Sequence, residues 1–249
     1  MSDFNGGTPR FGAVARPDMA VDAGLRAFML GVYNKVAIGL LLSAGLAWFT
    51  GNYQPVRDML FHVDVTGRIG YTILGMVVAF APLGILLFQS FARRTSPQTA
   101  SITYWAIVAL IGASMGMLFA IYADAAIYQT FLVTAAAFGG LSLVGYTTKR
   151  DLTGMGSFLI MGLIGLILAS LVSIFFQSAM LVFLINLIGV GIFAGLIAYD
   201  TQRLKMTYYQ LGGNQAALSV ATSYGALSLY LDFINLFRFL LYFIGGSRR

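Results

Sequence analysis

Long apolar runs dominate the chain and are separated by short polar stretches. A hydrocarbon bilayer core about 30 Å thick requires about 20 residues of apolar helix to cross it. Segments of this kind cover residues 28–50, 70–92, 102–122, 127–146, 155–175, 180–199 and 222–244. These runs are too long, and lack the strict alternation, for the strands of a membrane β-barrel. The pattern predicts an all-α, polytopic membrane bundle of seven transmembrane helices.

The polar stretches between the segments are too short to fold as a separate soluble domain. Residues 1–25 are polar and rich in Gly, Pro and Arg, without the apolar centre of a signal peptide, which favours a flexible N-terminal tail. Residues 26–249 then form a single transmembrane helical domain. Only residues 176–179 interrupt the apolar run between the fifth and sixth segments, where Gln177 and Ser178 favour a hairpin over one long helix.

Several glycines lie inside the predicted helices. Small residues on a helix surface allow two backbones to approach closely in a membrane. Gly139 with Gly140, and Gly162 with Gly165, therefore predict tight helix packing in a compact bundle with little room for a wide pore.

Composition supports a bilayer as the solvent of this chain. Of 249 residues, 59% are hydrophobic and 10% are charged, and the mean hydropathy is +0.83, beyond what one soluble core requires. The net charge of +6 comes from basic residues at the ends of apolar segments. There they orient helices and meet anionic lipid, so we expect the lipid bilayer as a partner and no nucleic acid.

The distribution of Lys and Arg predicts the orientation. With seven spans, nine of these residues fall on the side of the N-terminal tail and four on the opposite side. The positive-inside rule then places the N-terminus in the cytoplasm and the C-terminus outside. A six-span arrangement with a re-entrant last segment would return Arg248 and Arg249 to the cytoplasm and also satisfies the rule.

Few residue types are present that could carry chemistry. Cysteine is absent and His62 is the only histidine, which excludes disulfides, thiol chemistry, cysteine metal sites and histidine clusters. We expect no tightly bound cofactor. Glutamate is also absent, so nine aspartates supply all the carboxyl side chains.

Asp232 lies near the middle of the last segment, with apolar residues on both sides. An ionisable side chain at membrane depth costs roughly 2.5–3.5 kcal/mol on insertion scales and usually marks function. Ser228, four residues earlier, and Asn235, three residues later, share its helical face. This polar stripe predicts a site that faces the bundle interior or a wet cavity.

The other charged residues near membrane depth admit simpler roles. Asp200 ends the sixth segment, where it could act functionally, face water or pair with Arg203 three residues later. Lys35 and Arg238 lie inside helices but are long enough to reach the interface, which favours anchoring. Asp124, in a short turn, is expected to be solvated.

Three motifs stand out in the C-terminal half. Residues 226–237 read ALSLYLDFINLF, residues 145–152 contain Lys149-Arg150-Asp151 before the fifth segment, and Tyr199-Asp200 closes the sixth. The first run is similar, almost residue for residue, to the last-helix signature of the Bax inhibitor-1 (transmembrane Bax inhibitor motif) family. The chain resembles a bacterial-type member, which implies the inner (cell) membrane as its location.

The resemblance implies a bundle in which the last helix is surrounded by the others. It also implies a pair of aspartates that acts as a pH-sensitive gate for calcium leak, which by motif are Asp200 and Asp232. In that family an arginine at the cytoplasmic end of the second helix can pair with the first aspartate. Arg93 matches it by position, with Arg94 as the alternative.

Physical chemistry makes such a gate reasonable independently of the family. Two carboxylates that approach each other in a low-dielectric site resist double ionisation and titrate as a coupled pair. Deprotonated, the pair attracts a cation or holds Arg93 across the cytoplasmic mouth, and protonation shifts the closed and open populations. Since calcium takes about six to eight oxygen ligands, we expect only weak, transient calcium binding at Asp200 and Asp232, helped by water, Ser228 or Asn235.

Two alternatives rest on membrane aspartates or on seven helices. Tyr199-Asp200 matches half of the motif of intramembrane aspartyl proteases, but residues 229–231 before Asp232 lack the glycines of the other half. A retinal receptor requires a lysine in the last segment, and none is present. We therefore expect no enzymatic activity.

The main alternative function belongs to a different class. The protein could be a membrane-bound regulator that binds a membrane protease complex, or stress and cell-death machinery, without transport. Residues 1–25 would be a natural contact element for such a partner, although their composition suits an unstructured leader equally well.

Overall fold

The computed structural model describes residues 19–64, 69–90, 95–176 and 178–245, with side chains from residue 23 onward except that of Ser90. The predicted tail over residues 1–25 lies mostly outside these ranges. Within the described ranges the elements, in chain order, are α1 (Met19–Asn52), α2 (Gln54–Leu60), β1 (Phe61–Val63), β2 (Ile69–Tyr71), α3 (Ile73–Ser90), α4 (Pro97–Ser114), α5 (Met117–Ile121), α6 (Asp124–Thr147), α7 (Thr153–Phe175), α8 (Ala179–Gln210) and α9 (Gln215–Ile244).

The predicted all-α membrane bundle is confirmed. Each apolar segment coincides with a helix, or with α4 and α5 together. Within the described residues, six helical stretches are long and apolar enough to cross a membrane, and α3 contributes a shorter apolar helix over Ile73–Gln89. Helix α9 runs without a break from Gln215 to Ile244, a length that favours a full span over a re-entrant segment.

The third apolar segment contains a break that the pattern did not predict. Helix α4 ends at Ser114 and the short α5 begins at Met117. A Cβ atom added to Gly116 would lie 2.8 Å from the backbone nitrogen of Gly51 on α1. Because neither residue has a side chain, the two backbones meet here, and the prediction of one helix over 102–122 is wrong at this point.

A small hairpin lies between α1 and α3. Strands β1 and β2 pair antiparallel with Phe61 opposite Tyr71, and the backbone nitrogen of Thr72 donates to the Leu60 carbonyl at 3.0 Å. Strands of three residues are too short to show a periodic pattern, which is why the sequence did not predict them.

The predicted hairpin between the fifth and sixth segments is confirmed. Helix α7 ends at Phe175 and α8 begins at Ala179, and the two helices pack against each other. The side chain of Ser178 caps α8 by accepting a hydrogen bond from the backbone nitrogen of Leu181. Gln177 lies outside the described residues.

Helix α9 forms the centre of the bundle. It packs against α1, α4, α6 and α8, and Leu229, Tyr230 and Phe233 are each at most 1% exposed. A helix that is buried on most of its surface is a core helix. The expectation that the last helix is surrounded by the others is confirmed, and it places Asp232 deep in the protein.

Close contacts between helices occur at glycines other than the predicted ones. A Cβ added to Gly145 on α6 would lie 2.9 Å from the Cα atom of Ala198 on α8. One added to Gly112 on α4 would lie 2.6 Å from the Cα atom of Ser43 on α1. These distances leave no room for a side chain, so both glycines allow helix backbones to touch.

The prediction of close approach at the paired glycines is largely wrong. In the part of the chain that the structure describes, no non-neighbouring atom lies within 4 Å of a Cβ added to Gly139, Gly140 or Gly165. Only Gly162 is near another helix, with its added Cβ 3.1 Å from the Ile192 side chain. Small residues permit contact but do not specify which face of the helix meets a neighbour.

Candidate functional site

The two predicted aspartates lie inside the bundle on neighbouring helices. Helix α8 continues ten residues beyond Asp200, to Gln210, so the expectation that Asp200 ends its helix is wrong. Asp200 is 5% exposed and Asp232, on α9, is 6% exposed. Because α8 and α9 pack along each other, the two side chains meet at their interface.

A small polar cluster surrounds the two carboxyl groups. The Ser228 hydroxyl donates to Oδ2 of Asp200, and Nη2 of Arg203 lies 3.4 Å from Oδ1 of the same residue. Asp232 lines the same cavity as Asp200, and the two carboxyl groups are near enough to interact electrostatically. Among the described residues, Oδ2 of Asp232 has no hydrogen-bond partner.

The geometry limits how many protons the pair can lose. An ionised carboxylate only accepts hydrogen bonds, so a hydrogen bond between two carboxyl groups requires a proton on one of them. Two carboxyl groups buried at one interface resist double ionisation, so one of them tends to keep a proton while the Arg203 guanidinium faces Asp200.

The cluster opens on a cavity of about 750 Å³ between α3, α7, α8 and α9. Leu83 and Leu86 of α3 line one side of it, and Tyr199 and Asn235 add polar groups. The Asn235 amide nitrogen donates to the Leu231 carbonyl at 2.8 Å. Its amide oxygen is therefore the atom with which Asn235 could ligate a cation.

Four of the predicted site residues line this one cavity, namely Asp200, Ser228, Asp232 and Asn235. The predicted gate partner Arg93, and its alternative Arg94, lie outside the described residues, so their pairing stays a prediction. The cation seen beside Asp200 is Arg203, which the sequence suggested only as a neighbour at a helix end. Its spacing of three residues on a continuing helix was the available signal.

Lys35 is a half-buried residue that makes contacts between helices. Its ammonium group donates to Ser101 Oγ at 3.2 Å and to Ser223 Oγ at 2.7 Å, and lies 5.6 Å from the centroid of the Tyr104 ring. Lys35 thus joins α1 to α4 and α9, through partners that the sequence pattern did not predict, and its role as an anchor stays a prediction. Arg238 is exposed on α9, as an anchor would be.

The capacity of the site for a cation follows from its few ligands. The described part of the chain contains no group of three or more Asp, Glu, His or Cys residues that could hold a metal ion. Asp200 and Asp232 offer at most four carboxylate oxygens, fewer than the about six to eight that calcium takes. A calcium ion here would complete its shell with water, Ser228 or Asn235.

Comparison with known proteins places the chain in a family. Residues 25–249 match the family described as "Inhibitor of apoptosis-promoting Bax1". The chain is 61% identical to a protein of Caulobacter vibrioides over the full length of both. It is 40% identical to "Inner membrane protein YbhL" of Escherichia coli strain K12, covering 96% of this chain and 98% of that protein. An "Uncharacterized membrane protein" of Streptococcus pyogenes is 35% identical, covering 91% and 95%. The chain is therefore a multi-pass membrane protein that belongs to the Bax inhibitor-1 family.

Proposed function

We propose that this protein is a pH-sensitive leak pathway for calcium and similar cations, gated by Asp200 and Asp232. The observation that carries the proposal is the meeting of two buried carboxyl groups, from adjacent membrane helices, at one cavity. Acidic side chains are costly inside a membrane and usually mark ion or proton pathways. A coupled pair also changes charge in steps as the pH changes.

The polar cluster supplies two states that differ in charge. With one proton on the pair, the carboxyl groups bond to each other, and Arg203 and Ser228 hold Asp200. Loss of that proton leaves two adjacent negative charges, which repel each other and attract a cation into the cavity. A proton and a calcium ion therefore compete for the same oxygens, and pH shifts the populations of the two states.

The surrounding cavity supports a route for the cation. The residues lining it reach from Arg203 and Tyr199 to Asn235 and Phe239, so it extends along several turns of α8 and α9. Leu83 and Leu86 form its wall on α3, whose main packing partner is α4. Displacement of this wall would widen the cavity without separating α9 from α8.

Calcium flux into proteoliposomes tests the proposal. The parent protein, Asp200→Asn and Asp232→Asn are reconstituted separately, and calcium entry is followed with a trapped indicator between pH 4 and pH 8, a range that begins near the ordinary aspartate pKa of about 3.9. We expect pH-dependent entry in the parent. Each Asn variant should change the pH dependence, because asparagine cannot exchange a proton and the remaining carboxyl group titrates without its partner.

Asp58→Asn is the matched control, because Asp58 is an exposed aspartate that pairs with Arg57 far along the chain from the cluster. It should behave as the parent does. Flux through the parent no greater than through empty vesicles would refute the leak. It would leave the membrane-bound regulator, which binds protein partners without transport, as the function to test by partner capture.

A further inference from the structure

A second cavity lies on the outer side of the bundle, between α1 and α6, and has no role in the aspartate site. It has a volume of about 440 Å³, within the range of ligand pockets, roughly 300–1,000 Å³. We call it the α1–α6 groove. Leu30 on α1 and Leu143 on α6 line it and are 54% and 63% exposed. The groove is therefore open to the surrounding bilayer along its length.

The lining of the α1–α6 groove is amphipathic. Its walls are mainly apolar and include Met29, Leu30 and Phe138, which suit an acyl chain. Arg26 and Tyr146 lie at the end where α1 begins and α6 finishes. The Lys205 ammonium lies 5.4 Å from the centroid of the Tyr146 ring, so a second cation stands beside this end.

These two cations are available for an anion. Within the residues whose side chains are described, neither Arg26 nor Lys205 takes part in an ion pair. Lys205 donates instead to the backbone carbonyl of Tyr146 at 3.3 Å. Basic side chains at the membrane surface attract anionic lipid headgroups, and an arginine guanidinium matches the geometry of a phosphate.

An unsatisfied hydroxyl in the wall of the groove also points to a ligand. Ser142 lines the groove and is 5% exposed, and its Oγ has no hydrogen-bond partner among the described residues. Other hydroxyls of α6 are satisfied, since Thr130 and Thr134 donate to carbonyls one turn earlier. Rotation about the Cα–Cβ bond of Ser142 turns its hydroxyl toward the groove, where an ester carbonyl would accept from it.

We propose that the α1–α6 groove binds one anionic phospholipid of the bilayer. Its phosphate lies against Arg26 and Lys205, its ester group lies at Ser142, and one acyl chain lies between Leu30 and Phe138. This site is independent of the proposed leak function and uses other faces of the bundle.

Gly139 allows the groove to be filled without disturbing the fold. It lines the groove, and in the described residues nothing lies within 4 Å of a Cβ added there. Gly139→Leu therefore occupies the space of the acyl chain. Gly140→Leu is the matched control, because Gly140 has the same open surroundings and the same helix but does not line the groove.

The test is native mass spectrometry of purified, delipidated protein after addition of equal amounts of phosphatidylglycerol and phosphatidylcholine. We expect the parent and Gly140→Leu to retain one phosphatidylglycerol in preference to phosphatidylcholine, and Gly139→Leu to lose it. Arg26→Gln should lower the retention of phosphatidylglycerol by about fivefold, the worth of one basic residue at an anionic surface. Arg57→Gln, on α2 and outside the groove lining, should leave retention unchanged.

Two results would overturn the inference. The first is equal retention by Gly139→Leu and Gly140→Leu, with thermal unfolding confirming that both variants are folded. The second is a parent protein that shows no preference between the two headgroups, which would mean that the cations do not select the lipid.

Discussion

The hydroxyl of Tyr230 joins three helices two residues before Asp232. Tyr230 is fully buried, and its oxygen lies 2.7 Å from Ser43 Oγ on α1. The Val108 carbonyl on α4 lies 2.9 Å from Ser43 Oγ and 3.5 Å from the Tyr230 hydroxyl, so one of the two hydroxyls donates to this carbonyl and the other donates between them. This chain of hydrogen bonds fixes the rotation of α9 relative to α1 and α4, and with it the direction in which the Asp232 face points.

We expect Tyr230→Phe to lower the free energy of unfolding by about 1 kcal/mol, because it removes the buried hydrogen bond between Tyr230 and Ser43. The corresponding fall in melting temperature is about 2–4 °C for a chain of this size. Thermal unfolding in detergent measures it. Tyr209→Phe, at an exposed tyrosine, should not change the melting temperature, and an equal loss in both variants would contradict the role of the Tyr230 bond.

The sequence predicted those site residues that share a face of one helix, because helical spacing alone brings them together. Ser228 and Asn235 share a helical face with Asp232, and all three line the same cavity. Partners across helices could not be predicted in the same way. The pattern gave no register between helices, so it could not show that Ser101 and Ser223 would satisfy Lys35 inside the bundle.

Among the helices, the contact between α6 and α8 shows how tightly the bundle supports Asp200. Gly145 of α6 lies directly against the backbone of Ala198, two residues before Asp200. At Gly145, α6 and α8 therefore cannot move closer together. Packing of α6 therefore holds the part of α8 that carries the first carboxyl group.

Gly145→Ala should destabilise the protein by about 1–3 kcal/mol, since the added methyl group overlaps the Ala198 backbone and forces α6 and α8 apart. Gly140→Ala places the same methyl group on the same helix in open space, and should be neutral or slightly stabilising because alanine favours helix. Thermal unfolding measures the melting temperatures of the two variants against that of the parent. A fall of equal size in both would show that the contact with Ala198 is not responsible.

The sequence pattern predicted well which segments form helices, and predicted less well where those helices begin and end. Apolar periodicity ended the sixth segment at Tyr199, whereas α8 extends through polar residues to Gln210. Its polar end is supported by contacts that the pattern did not contain, such as the pair of hydrogen bonds between the Gln202 side chain and the backbone of Arg150 and Leu152. The break between α4 and α5 likewise depends on a contact with α1.

The whole molecule presents a distribution of basic residues that bears on its orientation. Arg26, Lys149 and Lys205 lie at helix ends that the seven-span arrangement places on one side of the membrane. The positive-inside rule predicts that this side is the cytoplasm. With α9 as a full span, the same rule predicts a C-terminus outside.

We expect alkaline phosphatase fused after Arg249 to be active in cells, because this enzyme folds only outside the cytoplasm, and green fluorescent protein at the same point to be dark. Fusions after Thr147, the end of α6, should give the opposite pair of results. Fluorescence and no phosphatase activity at the C-terminus would instead support the six-span arrangement.

The floor of the α1–α6 groove adjoins residues that follow the two aspartates in the chain. The Tyr33 hydroxyl lies 3.5 Å from Thr201 Oγ1, and the Phe138 ring packs edge-on against Phe233 with centroids 5.6 Å apart. Thr201 and Phe233 each lie one residue, about 100° around the helix, from the acids. Through these two contacts α1 and α6 brace the turns of α8 and α9 that hold the carboxyl groups.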